Sequence, residues 1–189
     1  MKSDLKAKFL QHLASKKRDG GFTLIELLVV IIIIGILAAI ALPSFLNQAN
    51  KAKQSEAKTY VGSANRAQQA YFLENNEFAA TGKFTELGLG VSTSTTNYEY
   101  EITTSNAVPA QTRTSAGVKV ATAPLKAYLG GVVIAKTGAA GAQEATTLAV
   151  LCEAINANGV NDGPRKLAAA SVVLTDAAAS CVSPAKPIK

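Results

Sequence analysis

The amino-acid sequence predicts an α+β protein in which one long N-terminal helix packs on a roughly four-stranded antiparallel sheet. Three features carry this expectation. Residues 27–50 contain no charged side chain, and their first half is almost pure hydrocarbon. Beyond residue 50 charged residues return while apolar ones recur at helical spacing, marking a helix with one apolar stripe. Past residue 96, four short stretches carry the β-branched and aromatic residues of strands, so helix stripe and sheet face can share one core.

The chain opens with a basic leader. Residues 1–21 carry Lys2, Lys6, Lys8, Lys16, Lys17 and Arg18 against Asp4 and Asp19, a net charge of +4. Lys and Arg just before an apolar span stay on the cytoplasmic side, so the remainder is expected to be exported. An ordinary secretory signal is cut after its apolar region, at a small-residue site. Here no Ala-x-Ala site follows Leu42, whereas the small pair Gly20-Gly21 precedes the run. The pair reads as a cleavage signal that keeps the apolar helix, or as a hinge into an uncleaved anchor.

The helix is expected from Phe22 to about Asn75, roughly 80 Å at 1.5 Å per residue. Some 18 or more apolar residues suffice to span a bilayer, and the run from Leu27 meets that length. Its second half shows Ala57, Tyr60, Val61, Ala64, Ala67 and Tyr71 as the apolar stripe, and Asn75-Asn76 suits a left-handed cap. Within it, Pro43 removes a backbone donor and Gly35 costs about 1 kcal/mol against Ala, so both are points of flexibility or tolerated kinks. Glu26 is the one acid at the head of the run. A charge at the centre of a membrane helix costs roughly 2.5–3.5 kcal/mol, so such residues tend to be paired and functional. Its shallow position also allows a carboxylate that simply reaches the interface.

The stretch Gly21-Phe22-Thr23-Leu24-Ile25-Glu26-Leu27, followed by an apolar run with Gly35 and Pro43, resembles the N-terminus of type IV pilin precursors. The resemblance covers about the first third of the chain and is highly specific; the length of the basic leader is similar to that of cyanobacterial pilins. It implies that a prepilin peptidase/N-methyltransferase cuts after Gly21 and N-methylates Phe22. It further implies that the new amine, with an ordinary pKa of about 7.7–8.0, meets Glu26 of a neighbouring copy in a helical filament. A pilus assembly platform and cytoplasmic ATPases would be partners, and the membrane would hold the chain before assembly. The layout is then 1–21 leader, 22–46 membrane and assembly helix, 47–76 amphipathic helix, and 77–189 exported body. The cytoplasmic membrane before assembly and an extracellular pilus after it are the implied locations. Motility, adhesion and DNA uptake are the functions such filaments serve.

Within the body, 78–96 reads as a long ordered loop. Strands are expected at 97–104, 118–121, 128–135 and 147–151; the first alternates Tyr98, Tyr100 and Ile102 against Glu99, Glu101 and Thr103. Cys152 and Cys181 are the only cysteines, and in an oxidising compartment they are expected to form a disulfide. The closed loop would contribute roughly 3–4 kcal/mol in the chain-entropy model. A C-terminal disulfide loop, 152–181, is also a feature of the resembled family.

Catalysis is not expected. His12 is the sole histidine and lies in the leader, and no GxxxxGK[ST], HExxH or GxSxG occurs. No cofactor, metal or catalytic residue is predicted. The glycine-rich segments 138–141 and 156–163 read as turns, with Asn161 and Asp162 as weak calcium candidates. Ser92 to Thr96 can carry O-linked sugar or be a solvated loop, and no Asn-x-Ser/Thr sequon occurs. The whole chain is +6, so removing the +4 leader leaves about +2, too little to argue for nucleic acid. Arg165, Lys166, Lys186 and Lys189 suit phosphate binding or a solubilising tail. Two rivals remain: a pseudopilin of a type II secretion system, whose major members commonly lack the disulfide, and a monomeric single-span periplasmic binding module.

Overall fold

The computed structural model describes residues 8, 11, 21–90, 92–106, 109–137, 144–160 and 163–188. Most of the leader with His12 and Gly20, the segment 138–141, Asn161, Asp162 and Lys189 lie outside the described residues. The chain divides into two compact units, 1–47 and 48–189. Helix α1, Leu24–Asn75, contributes residues to both. It starts two residues later than expected, because Thr23 serves as its cap. At the other end Asn76 adopts a left-handed φ of 57°, and its N–H donates to Phe72 O at 2.8 Å.

In the second unit the loop after α1 contains a 3-10 turn, Phe84–Leu87, that buries Phe84 and Leu87. The strands are β1 (Tyr98–Ser105), β2 (Gln111–Val118), β3 (Tyr128–Thr137), β4 (Glu144–Ala154), β5 (Val172–Leu174), β6 (Ala179–Cys181) and β7 (Ala185–Pro187). A fully antiparallel five-stranded sheet runs β1-β2-β3-β4-β7, and β5 pairs with β6 in a separate hairpin. β1, β3 and β4 form where strands were expected. The strand expected at 118–121 does not: Val118 closes β2, and the chain then turns, with Ala123 N–H donating to Val120 O. β2 was hidden because Gln-Thr-Arg-Thr-Ser-Ala-Gly has almost no apolar side chain to alternate. Threonines 112 and 114 take the inward places instead, and both are buried.

Each face of the sheet has its own cover. On one face Ala57, Val61 and Ala64 of α1 pack with Tyr98, Tyr100, Ala116, Val118 and Tyr128. Tyr60 stacks on Tyr100 with ring centroids 4.4 Å apart. Burial pushes the phenols of Tyr98, Tyr100 and Tyr128 above their ordinary range, so they stay neutral; Tyr98 Oη donates to Lys126 O at 3.0 Å. On the other face Leu129, Val133 and Cys152 meet Leu167, Val172 and Leu174. The glycine pair in β3 makes both approaches possible. A Cβ on Gly130 would lie 2.3 Å from Asn65 Oδ1 and 2.6 Å from Val61 Cγ1. One on Gly131 would lie 2.8 Å from Val172 Cγ1, on the opposite face.

Candidate functional site

At the head of α1 the sequence Thr23-Leu24-Ile25-Glu26 folds into a capping box. Glu26 N–H donates to Thr23 Oγ1 at 3.2 Å, and Glu26 Oε2 accepts from both Thr23 N–H and Thr23 Oγ1 at 2.8 Å. Glu26 Oε1 takes no hydrogen bond among the described residues. Sequence reasoning missed this local partner, although Thr-x-x-Glu before an apolar run was the signal for it. Phe22 precedes the cap and is 88% exposed. Gly21 precedes Phe22 outside any element, and a Cβ there would touch nothing within 4 Å.

From Leu24 to Leu46 no large apolar side chain is covered, and α1 here is long and apolar enough to cross a membrane by length and composition. Gly35 and Pro43 both sit inside the unbroken helix, and Gly35 has open space where a side chain would be. In the second unit Cys152 of β4 and Cys181 of β6 form a disulfide with Cα atoms 5.8 Å apart. The segment it encloses is more than a loop, because β5, β6 and Leu167 cover the sheet.

Two family models match this chain. One, the prokaryotic N-terminal methylation motif, matches residues 16–42. The other, type IV pilin-like G and H, matches residues 54–181, more than half of the chain. The chain belongs to the type IV pilin-like family. Among its relatives is the type IV major pilin of Myxococcus xanthus, 50% identical over 62 residues, covering 33% of this chain and 28% of the relative. The wide-pilus major component of Thermus thermophilus is 34% identical over 87 residues, covering 46% and 66%. The type II secretion system core protein G of Aeromonas hydrophila is 39% identical over 66 residues, covering 35% and 46%. This pilin-like chain therefore spans between about a quarter and two thirds of these relatives' length. No solved structure matches it.

The remaining candidates among the described residues make contacts within the second unit. Arg165 donates from Nε and Nη2 to Val118 O and Lys119 O, both at 2.6 Å. Lys166 pairs with Glu101, and Lys186 lies 3.3 Å from Glu153. Ser92 and Thr95 are engaged in local hydrogen bonds of their loop. Among the described residues no three His, Cys, Asp or Glu side chains are grouped to hold a metal ion.

Proposed function

We propose that this chain is a structural subunit of a type IV pilus, cut after Gly21, N-methylated at Phe22 and polymerised through its apolar helix. The observation that carries the reading is the head of α1. A small residue and a free-standing phenylalanine precede one carboxylate, which caps a helix whose first half is otherwise charge-free and uncovered. The capping box gives that carboxylate a division of labour. Oε2 is held by Thr23, which fixes the side chain, while Oε1 is left to accept from the amine of another copy. In hydrocarbon an opposite charge is the best partner for each group. Before assembly the helix anchors the chain in the cytoplasmic membrane with the body exported; afterwards helices form the fibre core and bodies its shell. Gly35 and Pro43 mark the stretch of α1 that extends when the fibre is pulled. Prepilin peptidase, an assembly platform and cytoplasmic ATPases are the partners.

The test is Glu26→Leu in host cells. The variant should insert and be processed, with an intact mass beginning at Phe22 plus one methyl group, yet stay out of filaments. Normal filament yield overturns the role of Glu26, and a mass beginning at Met1 overturns the cut. The likeness to the Aeromonas secretion protein favours a second reading as a pseudopilin. Electron microscopy separates the two, since a pilin gives long surface fibres and a pseudopilin a short periplasmic one.

A further inference from the structure

The face of the sheet opposite α1 holds a cation that makes no ion pair among the described residues. Arg113 lies in the middle of β2, in register with Thr103 of β1 and Gly131 of β3. Its Nε is buried and has no acceptor among the described residues, and none of their ion pairs involves it. Burial lowers the pKa of the guanidinium, which nonetheless stays charged, because arginine does not deprotonate in proteins. Arg113 as a whole is only partly buried, but a buried N–H donor with no acceptor is costly, and structures normally satisfy it. Arg113 opens onto a cavity of about 240 Å³ shared with Thr103, Ser115, Leu129, Lys166 and Leu167. A water molecule takes about 30 Å³, so there is room for a group the size of phosphate or carboxylate. The second cation, Lys166, is paired with Glu101 and is half-exposed, so it can reach an anion only in competition with that carboxylate.

We propose that this cavity binds a small oxyanion, a phosphate or a carboxylate group. The planar guanidinium of Arg113 supplies the parallel donors that fit such a group, with the Thr103 and Ser115 hydroxyls beside it and Lys166 as the second cation. The oxyanion can come from solution or from an acidic side chain of another copy.

The full chain in detergent micelles at low ionic strength, titrated calorimetrically with inorganic phosphate, tests the site. The wild type should bind and gain thermal stability. Arg113→Gln should weaken binding about tenfold, and Arg113→Lys, which keeps the charge but loses the fork, should fall between. Ala169→Leu narrows the cavity, which residue 169 also lines, and should weaken binding without removing a charge. If Arg113→Gln fails to fold, judged by circular dichroism, the Lys and Ala169 variants decide. Equal affinity in wild type and the folded variants overturns the proposal, as does no binding by the wild type. Repeating the titration on assembled filaments separates the sources: phosphate binding there means a free ion, and its exclusion there alone means a neighbour's carboxylate. The micelle titration needs no assembly, so its failure is distinct from failure of the pilus reading.

Discussion

The two halves of α1 share a backbone and differ in what covers them. In the first, from Leu24 to Leu46, no large apolar side chain is less than 44% exposed. In the second, Ala57, Val61 and Ala64 are completely buried against the sheet. Composition explains the contrast. The first half carries bulky aliphatics on every side, which suits a non-directional apolar partner such as lipid or other copies. The second half uses small residues so that β3 can come close, and amides that fix one register. Asn65 Nδ2 donates to Val150 O at 2.9 Å, Gln69 Nε2 to Thr147 Oγ1 at 2.9 Å, and Ala79 N–H to Gln68 Oε1 at 3.0 Å. A single helix can thus end in a defined core at one end and in an unspecific apolar surface at the other.

The largest effect that could break this contrast is a charge placed in each half. Val61→Asp buries an unpaired carboxylate in the packed core and should cost about 3–5 kcal/mol of body stability. Val30→Asp should leave the body's thermal midpoint unchanged and act only on membrane insertion, by roughly 2.5–3.5 kcal/mol. Circular dichroism melts of both variants check this; a matching loss in Val30→Asp would mean that the first half also has a specific fold partner. Next in size is the disulfide. Joint Cys152→Ala and Cys181→Ala substitution opens a loop of sequence separation 29 within the second unit. The expected loss is roughly 3–4 kcal/mol by the chain-entropy relation, read from denaturant midpoints. Insertion of the first half should not change.

Much of this contrast was legible in the sequence, for reasons that differ by element. The helix was readable end to end because length, apolar spacing and the Asn75-Asn76 cap agreed. β1 and β3 were readable because tyrosines, valines and isoleucine mark pleated, half-buried positions. β2 was not, since a strand flanked by neighbours on both edges can fill its inward places with threonine; only the register against β1 and β3 reveals it. Strands β5, β6 and β7 are three residues each, too short to show any period; the β5–β6 hairpin covers the sheet's second face, while β7 extends the sheet beside β4. For the candidate site, the Gly21-to-Leu27 motif and its resemblance single out Gly21, Phe22 and Glu26, and the two cysteines expected to pair do form a disulfide. The capping box is written in Thr23-x-x-Glu26, where the acid serves as a hydrogen-bond acceptor as well as a charge. Arg113 carries no local signature; that its Nε finds no acceptor among the described residues is a property of three dimensions.

The smallest effect concerns the electrostatic tie between α1 and the sheet. Glu153, on β4 opposite Tyr128, lies 3.4 Å from Lys58 of α1, 3.5 Å from Lys126 and 3.3 Å from Lys186 of β7. Burial alone would raise its carboxyl pKa, but Lys126, Lys58 and Lys186 together outweigh it and hold the group below its ordinary value. A carboxylate depressed in the folded state contributes stability that is present above the ordinary value of about 4.3 and is lost as pH falls through the lower, folded one. The lysines are partly solvated, so water and salt screen the interaction, and Glu153→Gln should cost about 1 kcal/mol at neutral pH. Denaturant unfolding at neutral and strongly acidic pH should show a wild-type loss that the variant lacks in part, because its side chain has no proton to bind. The difference should shrink in high salt, as the pairs are screened. An unchanged acid profile in Glu153→Gln would mean that three lysines crowd a carboxylate without holding it. The packed half of α1 would then owe its place to shape and amide hydrogen bonds alone.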